Sequence, residues 1–313
     1  HAIASADVDG DGFADLALGQ VDNDLAGQEA GSISFYRGTA TGLSEMPTRV
    51  ITGERRGHRM GTSVLLVDAT GDGRIDLLAG AGRGDGAAVS SGTVSLFPGG
   101  GDGTFASEAS RVFTGPLASD ELGSSMVACD FNDDGRVDLA FGAPEAEDRP
   151  LIPQQASQGA IHDYLARSGG AYPLAADLVL YGAIPVPETP GTFAARGATR
   201  LGTELAAGDV DGDGVCDLVA HMRSPWAGMT PRRDDDGAVL VFRGVAADPG
   251  MRRLGGLERS PSRFVAGAAR DATTPGSRFG IALAVADLDA DGRAEIVAGQ
   301  STEDFPMRTD AGA

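Results

Sequence analysis

Five times in 313 residues the chain repeats one short pattern: an acidic loop with glycine at its sixth position, set between two apolar runs. The loops begin at Asp7, Asp68, Asp130, Asp209 and Asp287, so the steps are 61, 62, 79 and 78 residues. A supersecondary unit recurring at such a period folds as an array of like units, each burying its apolar faces against its neighbours. No aperiodic single core is compatible with that spacing.

Within each loop the oxygen-bearing side chains fall at positions 1, 3 and 5. They are Asp7, Asp9 and Asp11; Asp68, Thr70 and Asp72; Asp130, Asn132 and Asp134; Asp209, Asp211 and Asp213; and Asp287, Asp289 and Asp291. Glycine at position 6 allows the sharp turn that lets three such groups face one point. Position 7 would add a backbone carbonyl, from Phe13, Arg74, Arg136, Val215 or Arg293, and position 9 a closing carboxylate, from Asp15, Asp76, Asp138, Asp217 or Glu295. An all-oxygen set of this size suits Ca²⁺, which takes six to eight hard ligands at flexible geometry. The pattern predicts four to five calcium ions, with the Thr70 loop the weakest. An EF-hand is excluded, because position 12 is Leu18, Ala79, Phe141, Ala220 or Ala298 where that motif needs glutamate, and the flanks read as strands. A plain Asp/Gly turn could carry one such loop; five in one register favour the metal.

Further signals recur at fixed places. A hydrophobic-Gly pair opens an apolar run at Met60-Gly61, Leu122-Gly123, Leu201-Gly202 and Phe279-Gly280, and a Gly-led apolar run follows each of the first four loops from Gly31, Gly92, Gly159 and Gly237. With a further run such as Thr48–Ile51, this gives four strands per unit, the content of one propeller blade. Phe279-Gly280, the Asp-rich loop and Gly142-Ala143-Pro144 together resemble the FG-GAP repeats of integrin α-subunits and their bacterial relatives. The other copies depart from Gly-Ala-Pro, reading Gly19-Gln20, Gly80-Ala81-Gly82, His221-Met222 and Gly299-Gln300. The expected fold is an all-β propeller of four-stranded antiparallel blades, with calcium loops between the first and second strands. One domain over 1–313 is expected, with blades near 1–52, 53–114, 115–181, 182–266 and 267–313, the outer two partial. The resemblance implies a seven-bladed parent of which about five blades are covered; a five-bladed ring closed by missing or swapped strands is the alternative.

Composition narrows the function. Net charge is −20, yet nineteen of the 45 acidic residues sit in the five loops, and five bound calcium ions would halve the excess. Much of the acidity is therefore metal chemistry, and it argues against a nucleic-acid partner. All 25 basic residues are arginine, so lysine-dependent phosphate loops, Schiff bases and Ser-x-x-Lys nucleophiles are excluded. No apolar run is long enough for a membrane-spanning helix. Millimolar calcium outside cells suits such loops, and the chain is expected to be extracellular or at the cell surface. Two cysteines make no disulfide framework. Cys129, ending a strand, and Cys216, inside a loop one blade away, are expected to be unbridged.

The resemblance places ligand recognition opposite the calcium loops, on the second-to-third and fourth-to-first connections. Those are longest near 144–158, 182–200 and 221–236, and they hold Arg223, Trp226, Arg232 and Arg233 as candidate anchors. Arginine also populates ordinary solvated loops; the functional reading is a face for carboxylated glycans or acidic protein segments. Arg83-Gly84-Asp85 is taken as a chance tripeptide. The expected function is a calcium-stapled binding or adhesion module with a protein or glycan ligand. The alternative is a glycan-cleaving hydrolase or lyase on the same scaffold. No catalytic constellation supports the alternative: His58, His162 and His221 lie on separate segments, and His58, among Arg55, Arg56 and Arg59, is expected at the surface.

Overall fold

A computed structural model describes residues 2–147, 157–182, 184–185, 193–194, 199–223, 237–248, 255–266 and 278–300. Among the described residues there is no helix. The first sheet takes β1 (Ile3–Ala6), β2 (Asp15–Gln20), β3 (Ser32–Tyr36) and β4 (Arg49–Thr52) in chain order, all antiparallel. The second repeats it with β5 (Met60–Val67), β6 (Asp76–Ala81), β7 (Thr93–Phe97) and β8 (Arg111–Thr114). The third comprises β9 (Ser125–Cys129), β10 (Asp138–Ala143), β11 (Ala160–Tyr164) and β12 (Leu178–Tyr181).

A small ribbon, β13 (Ile184–Pro185) with β14 (Phe193–Ala194), precedes the fourth sheet. That sheet pairs β15 (Leu201–Gly208), β16 (Asp217–Met222) and β17 (Ala238–Phe242) with β20 (Arg263–Ala266). A second ribbon, β18 (Gly244–Val245) with β19 (Gly256–Leu257), is inserted before its last strand. The hairpin of β21 (Phe279–Ala286) and β22 (Glu295–Gln300) follows. Each four-stranded meander is of the kind that forms a propeller blade, and each acidic loop joins a first strand to a second.

The chain forms two compact units, residues 1–128 with 166–175, and residues 129–165 with 176–313. In the first, Val8, Ile33, Phe35, Leu77, Phe97 and Phe105 make a shared core, with the Phe35 and Phe105 rings edge to face at 5.1 Å. In the second, Val219, Val239 and Val241 pack with Phe279, Leu283, Val285 and Ile296. Second strands are buried along their whole length in β6, β10 and β16, whereas the outer β4 alternates between half-buried and exposed. A second strand covered on both faces cannot alternate polar and apolar residues, which is why these runs read as continuous apolar segments in the sequence.

Successive sheets meet through backbone. A Cβ on Gly19 would lie 2.2 Å from the Gly61 carbonyl oxygen, and one on Gly80 would lie 2.4 Å from that of Gly123. Gly202 approaches less tightly, its Cβ position 3.1 Å from the Gly142 Cα. The residue opening each hydrophobic-Gly turn adopts a left-handed backbone: Arg59, Glu121, Arg200 and Arg278 have φ between 46° and 57°. In three copies a hydroxyl two residues beyond the turn's hydrophobic residue donates back to that carbonyl: Thr62 to Arg59 at 2.6 Å, Ser124 to Glu121 at 2.7 Å and Thr203 to Arg200 at 2.8 Å.

Cys129 and Cys216 are joined by a disulfide, with their Cα atoms 6.2 Å apart, correcting the expectation that they stand alone. The residue just before one acidic loop lies against position 8 of the next loop. The same places are held by Gly208 and Ala294, where a Cβ on Gly208 would lie 3.2 Å from that of Ala294.

Candidate metal loops and the opposite face

The position-1 aspartate organises each loop. Asp7 accepts the Gly10, Asp11 and Gly12 N–H groups at 2.8, 3.1 and 2.9 Å, and Asp209 accepts those of Gly212, Asp213 and Gly214 at 2.7, 3.2 and 2.8 Å. Position 5 accepts from position 7, as Asp11 does from Phe13 at 2.9 Å. The position-6 glycines turn with φ of 78° to 89°. Carboxylate oxygens of Asp7, Asp9 and Asp15 converge within 4.8 Å, as do those of Asp209, Asp211 and Asp217, and of Asp287, Asp289 and Asp291. The loops at Asp68 and Asp130 carry Thr70 and Asn132 at position 3, which leaves each one carboxylate fewer at positions 1, 3, 5 and 9.

The position-9 carboxylate has a second task. Asp15, Asp76, Asp138 and Asp217 are at most 1% exposed. Asp15 accepts Val8 N–H at 3.0 Å and Gly38 N–H at 2.7 Å. Asp76 does the same with Thr70 and Gly99 at 2.9 and 2.8 Å, and Asp217 with Val210 and Gly244 at 3.0 Å each. It thus ties the loop to the chain leaving the third strand. Burial pushes the Asp76 and Asp217 carboxyls above the ordinary 3.8, and these backbone hydrogen bonds pull the other way; at Asp217 the Asp211 and Asp213 charges add to the upward push. A nearby cation would relieve both causes of the rise. The oxygen-only donor set and the three convergent carboxylate clusters fit a hard divalent cation.

Two arginines meet position-3 aspartates. Arg37 Nε lies 3.1 Å from Asp9 and Arg243 lies 2.7 Å from Asp211, each arginine directly following a third strand. Arg136 pairs with Asp134 inside its own loop. The Asp68 loop is covered by residues 166–175: Tyr172 OH donates to the Ala69 carbonyl at 2.9 Å, and a Cβ on Gly170 would strike the Thr70 carbonyl. The cysteine bridge and these arginines escaped the sequence reading. The signal lay in comparing equivalent positions between copies, Cys129 with Gly208 and Arg37 with Arg243.

On the far ends of the strands Arg223 directly follows β16, while Trp226, Arg232 and Arg233 lie outside the described residues. His58 is 8% exposed, correcting the expected surface placement, because the fourth-to-first connection folds inward and sets its Nε2 3.7 Å from Asp85. Asp85 is itself held by Ser90 N–H at 3.0 Å, and Arg83 by Glu121 at 3.3 Å, so Arg83-Gly84-Asp85 serves its own fold.

The FG-GAP repeat family matches residues 1–36 and 279–313. Integrin alpha-V of Gallus gallus is 30% identical over 244 residues, 77% of this chain and 20% of that protein. The chain is an FG-GAP, integrin α-like protein. Integrin alpha-8 of Mus musculus is likewise 30% identical over 77% of the chain and 19% of its own length, so this integrin α-like chain spans about a fifth of these relatives. Among solved structures, a rhamnogalacturonan lyase of Bacillus licheniformis aligns over 88% of the chain and 49% of its own, at a TM-score of 0.40 and 13% identity. That likeness is too loose to argue from.

Proposed function

We propose that this integrin α-like chain is a calcium-stabilised propeller segment that works outside the cell as a binding or adhesion module. The convergence of Asp7, Asp9 and Asp15, matched at Asp209 and Asp287, carries the reading. The ions would be held by positions 1, 3, 5 and 9 of each loop and by the position-7 carbonyl. Bound calcium supplies the positive charge that lets clustered carboxylates lie together. The chain's own residues do the rest: the position-1 aspartate gathers the loop amides, the position-9 carboxylate ties loop to third strand, and the array presents its opposite ends to a ligand. A disulfide persists in an oxidising compartment, which supports an extracellular setting. The ligand face is the arginine-bearing one opposite the loops, suited to carboxylate groups.

A cation binding only the folded state stabilises it by about 2.7 kcal/mol per site at a hundredfold excess over its Kd. Thermal unfolding in calcium and in EGTA, with bound metal counted on the same sample, tests the reading. A large rise in Tm with four or five ions per chain is expected. No rise and no bound metal would overturn it.

A further inference from the structure

The joints between successive units are alike except for one. Gly19 faces Gly61, Gly80 faces Gly123 and Gly142 faces Gly202. At the next joint the second-strand glycine is replaced by His221, whose ring lies against Gly280, with a Cβ position there 3.0 Å from His221 Cδ2. The left-handed residue also behaves differently here. Arg59 pairs with Glu29 at 2.9 Å, Glu121 with Arg83 at 3.3 Å and Arg200 with Glu145 at 3.1 Å, each across its joint. Arg278, the fourth member of that series, has no ion pair among the described residues.

The imidazole wedge leaves a pocket of about 230 Å³ lined by Thr203, His221, Arg223, Arg278 and Ile281. His221 is 3% exposed, and neither ring nitrogen has a hydrogen-bond partner. A buried polar side chain left so is costly unless something else completes it. Burial, with Arg223 adding, pushes its pKa down to about 4; the Phe279 backbone pulls weakly the other way without reaching hydrogen-bonding geometry. The neutral ring therefore offers one N–H donor and one acceptor. Ile281 stands where Thr62, Ser124 and Thr203 occur in the other copies, so one wall is apolar.

We propose that this joint is a binding pocket for an oxyanion, a carboxylate or a sulfate ester, carried on a small ring such as a sugar. The guanidinium groups of Arg223 and Arg278 supply the charge and forked donors that such a group needs. His221 adds a donor to the lining, and Ile281 faces the ring's carbons. Thr203 holds the turn, its hydroxyl already given to the Arg200 carbonyl. The volume suits one ring rather than an extended chain. The inference rests on the reading above only in taking this side of the units as the ligand side.

The test is an NMR titration of the calcium-loaded protein with glucuronate, glucose 6-sulfate and glucose, observing the His221 ring. Saturable shifts with either acidic sugar and none with glucose are expected, and which of the two binds identifies the oxyanion. Arg278→Gln should weaken binding about tenfold at unchanged Tm. His221→Gly, which restores the glycine of the other copies, should abolish it. No saturable shift with either acid, equal binding of glucose, or wild-type affinity in R278Q would overturn the proposal. R278Q changes one exposed lining side chain, so it decides the matter even if H221G unfolds. Failure of the pocket would leave the calcium-dependent Tm intact, and failure of the calcium reading would leave this titration readable.

Discussion

Cys129 closes the first strand of one sheet and is bonded to Cys216, position 8 of the next acidic loop, 87 residues away. The bond ties consecutive units at their metal-loop end, where one step later the Ala294 N–H donates to the Asp209 carbonyl at 2.7 Å. Closing a loop of that length removes entropy from the unfolded chain worth about 4.5 kcal/mol on the chain-entropy estimate. Cys129→Ala with Cys216→Ala should lower stability by up to that amount in denaturant titration, and reductant should lower the wild-type Tm similarly. Equal stability of the double variant and wild type would show the bridge to be dispensable.

Backbone contact leaves room only for glycine at Gly19 and Gly80. Gly80→Ala would put a methyl 2.1 Å from Ser63 Oγ and 2.4 Å from the Gly123 oxygen, breaking the Ser63 to Gly123 hydrogen bond of 2.6 Å. A cost of about 3 kcal/mol is expected. Gly299→Ala, whose nearest neighbour is the Ala282 Cβ at 3.4 Å, should cost under about 1 kcal/mol. Urea midpoints of the two variants provide the comparison.

Buried histidines set an acid limit. Burial holds His162, on β11, down to about 4 from its ordinary 6.5, and His221 to about 4. A depressed folded-state pKa contributes stability that is complete above 6.5 and is lost as pH falls toward 4, because the unfolded chain takes the proton first. Each accounts for a loss on the order of 3 kcal/mol across that window. His162→Leu should remove its share, measured as a shallower fall in unfolding free energy between those pH values. A parallel fall in variant and wild type would refute the assignment.

The arginines paired with position-3 aspartates compete with a cation for the same oxygens. Arg243→Gln should raise calcium affinity at the Asp209 loop a few-fold, since a positive charge 2.7 Å from Asp211 opposes a second one there. Calorimetric titration of the variant against wild type reads the change, and unaltered affinity would mean that Arg243 moves aside at no cost.

Much of the fold was legible because the periodic signals are local. The Asp-x-Asp-x-Asp-Gly loops, the hydrophobic-Gly pairs and the short apolar runs each specify a turn or strand within about ten residues. What lay hidden depends on which copy touches which. Cys216 looks like one more small residue at position 8 until the neighbouring strand end, Cys129, is laid beside it. His58 sits in a run of arginines that reads as solvated, yet its connection turns inward. Position 9 reads as a metal ligand, and only the third strand's neighbour, Gly38, Gly99 or Gly244, reveals the structural work of the same carboxylate.

Because three of the joints set glycine against glycine, their spacing is held by backbone contact as well as by packed side chains. A gene segment encoding one unit can then be duplicated or lost and the newcomer will still seat against either neighbour. Interchangeable parts carry no address, however. One departure, His221 in place of glycine, gives a single joint of the series a chemical identity that the others lack.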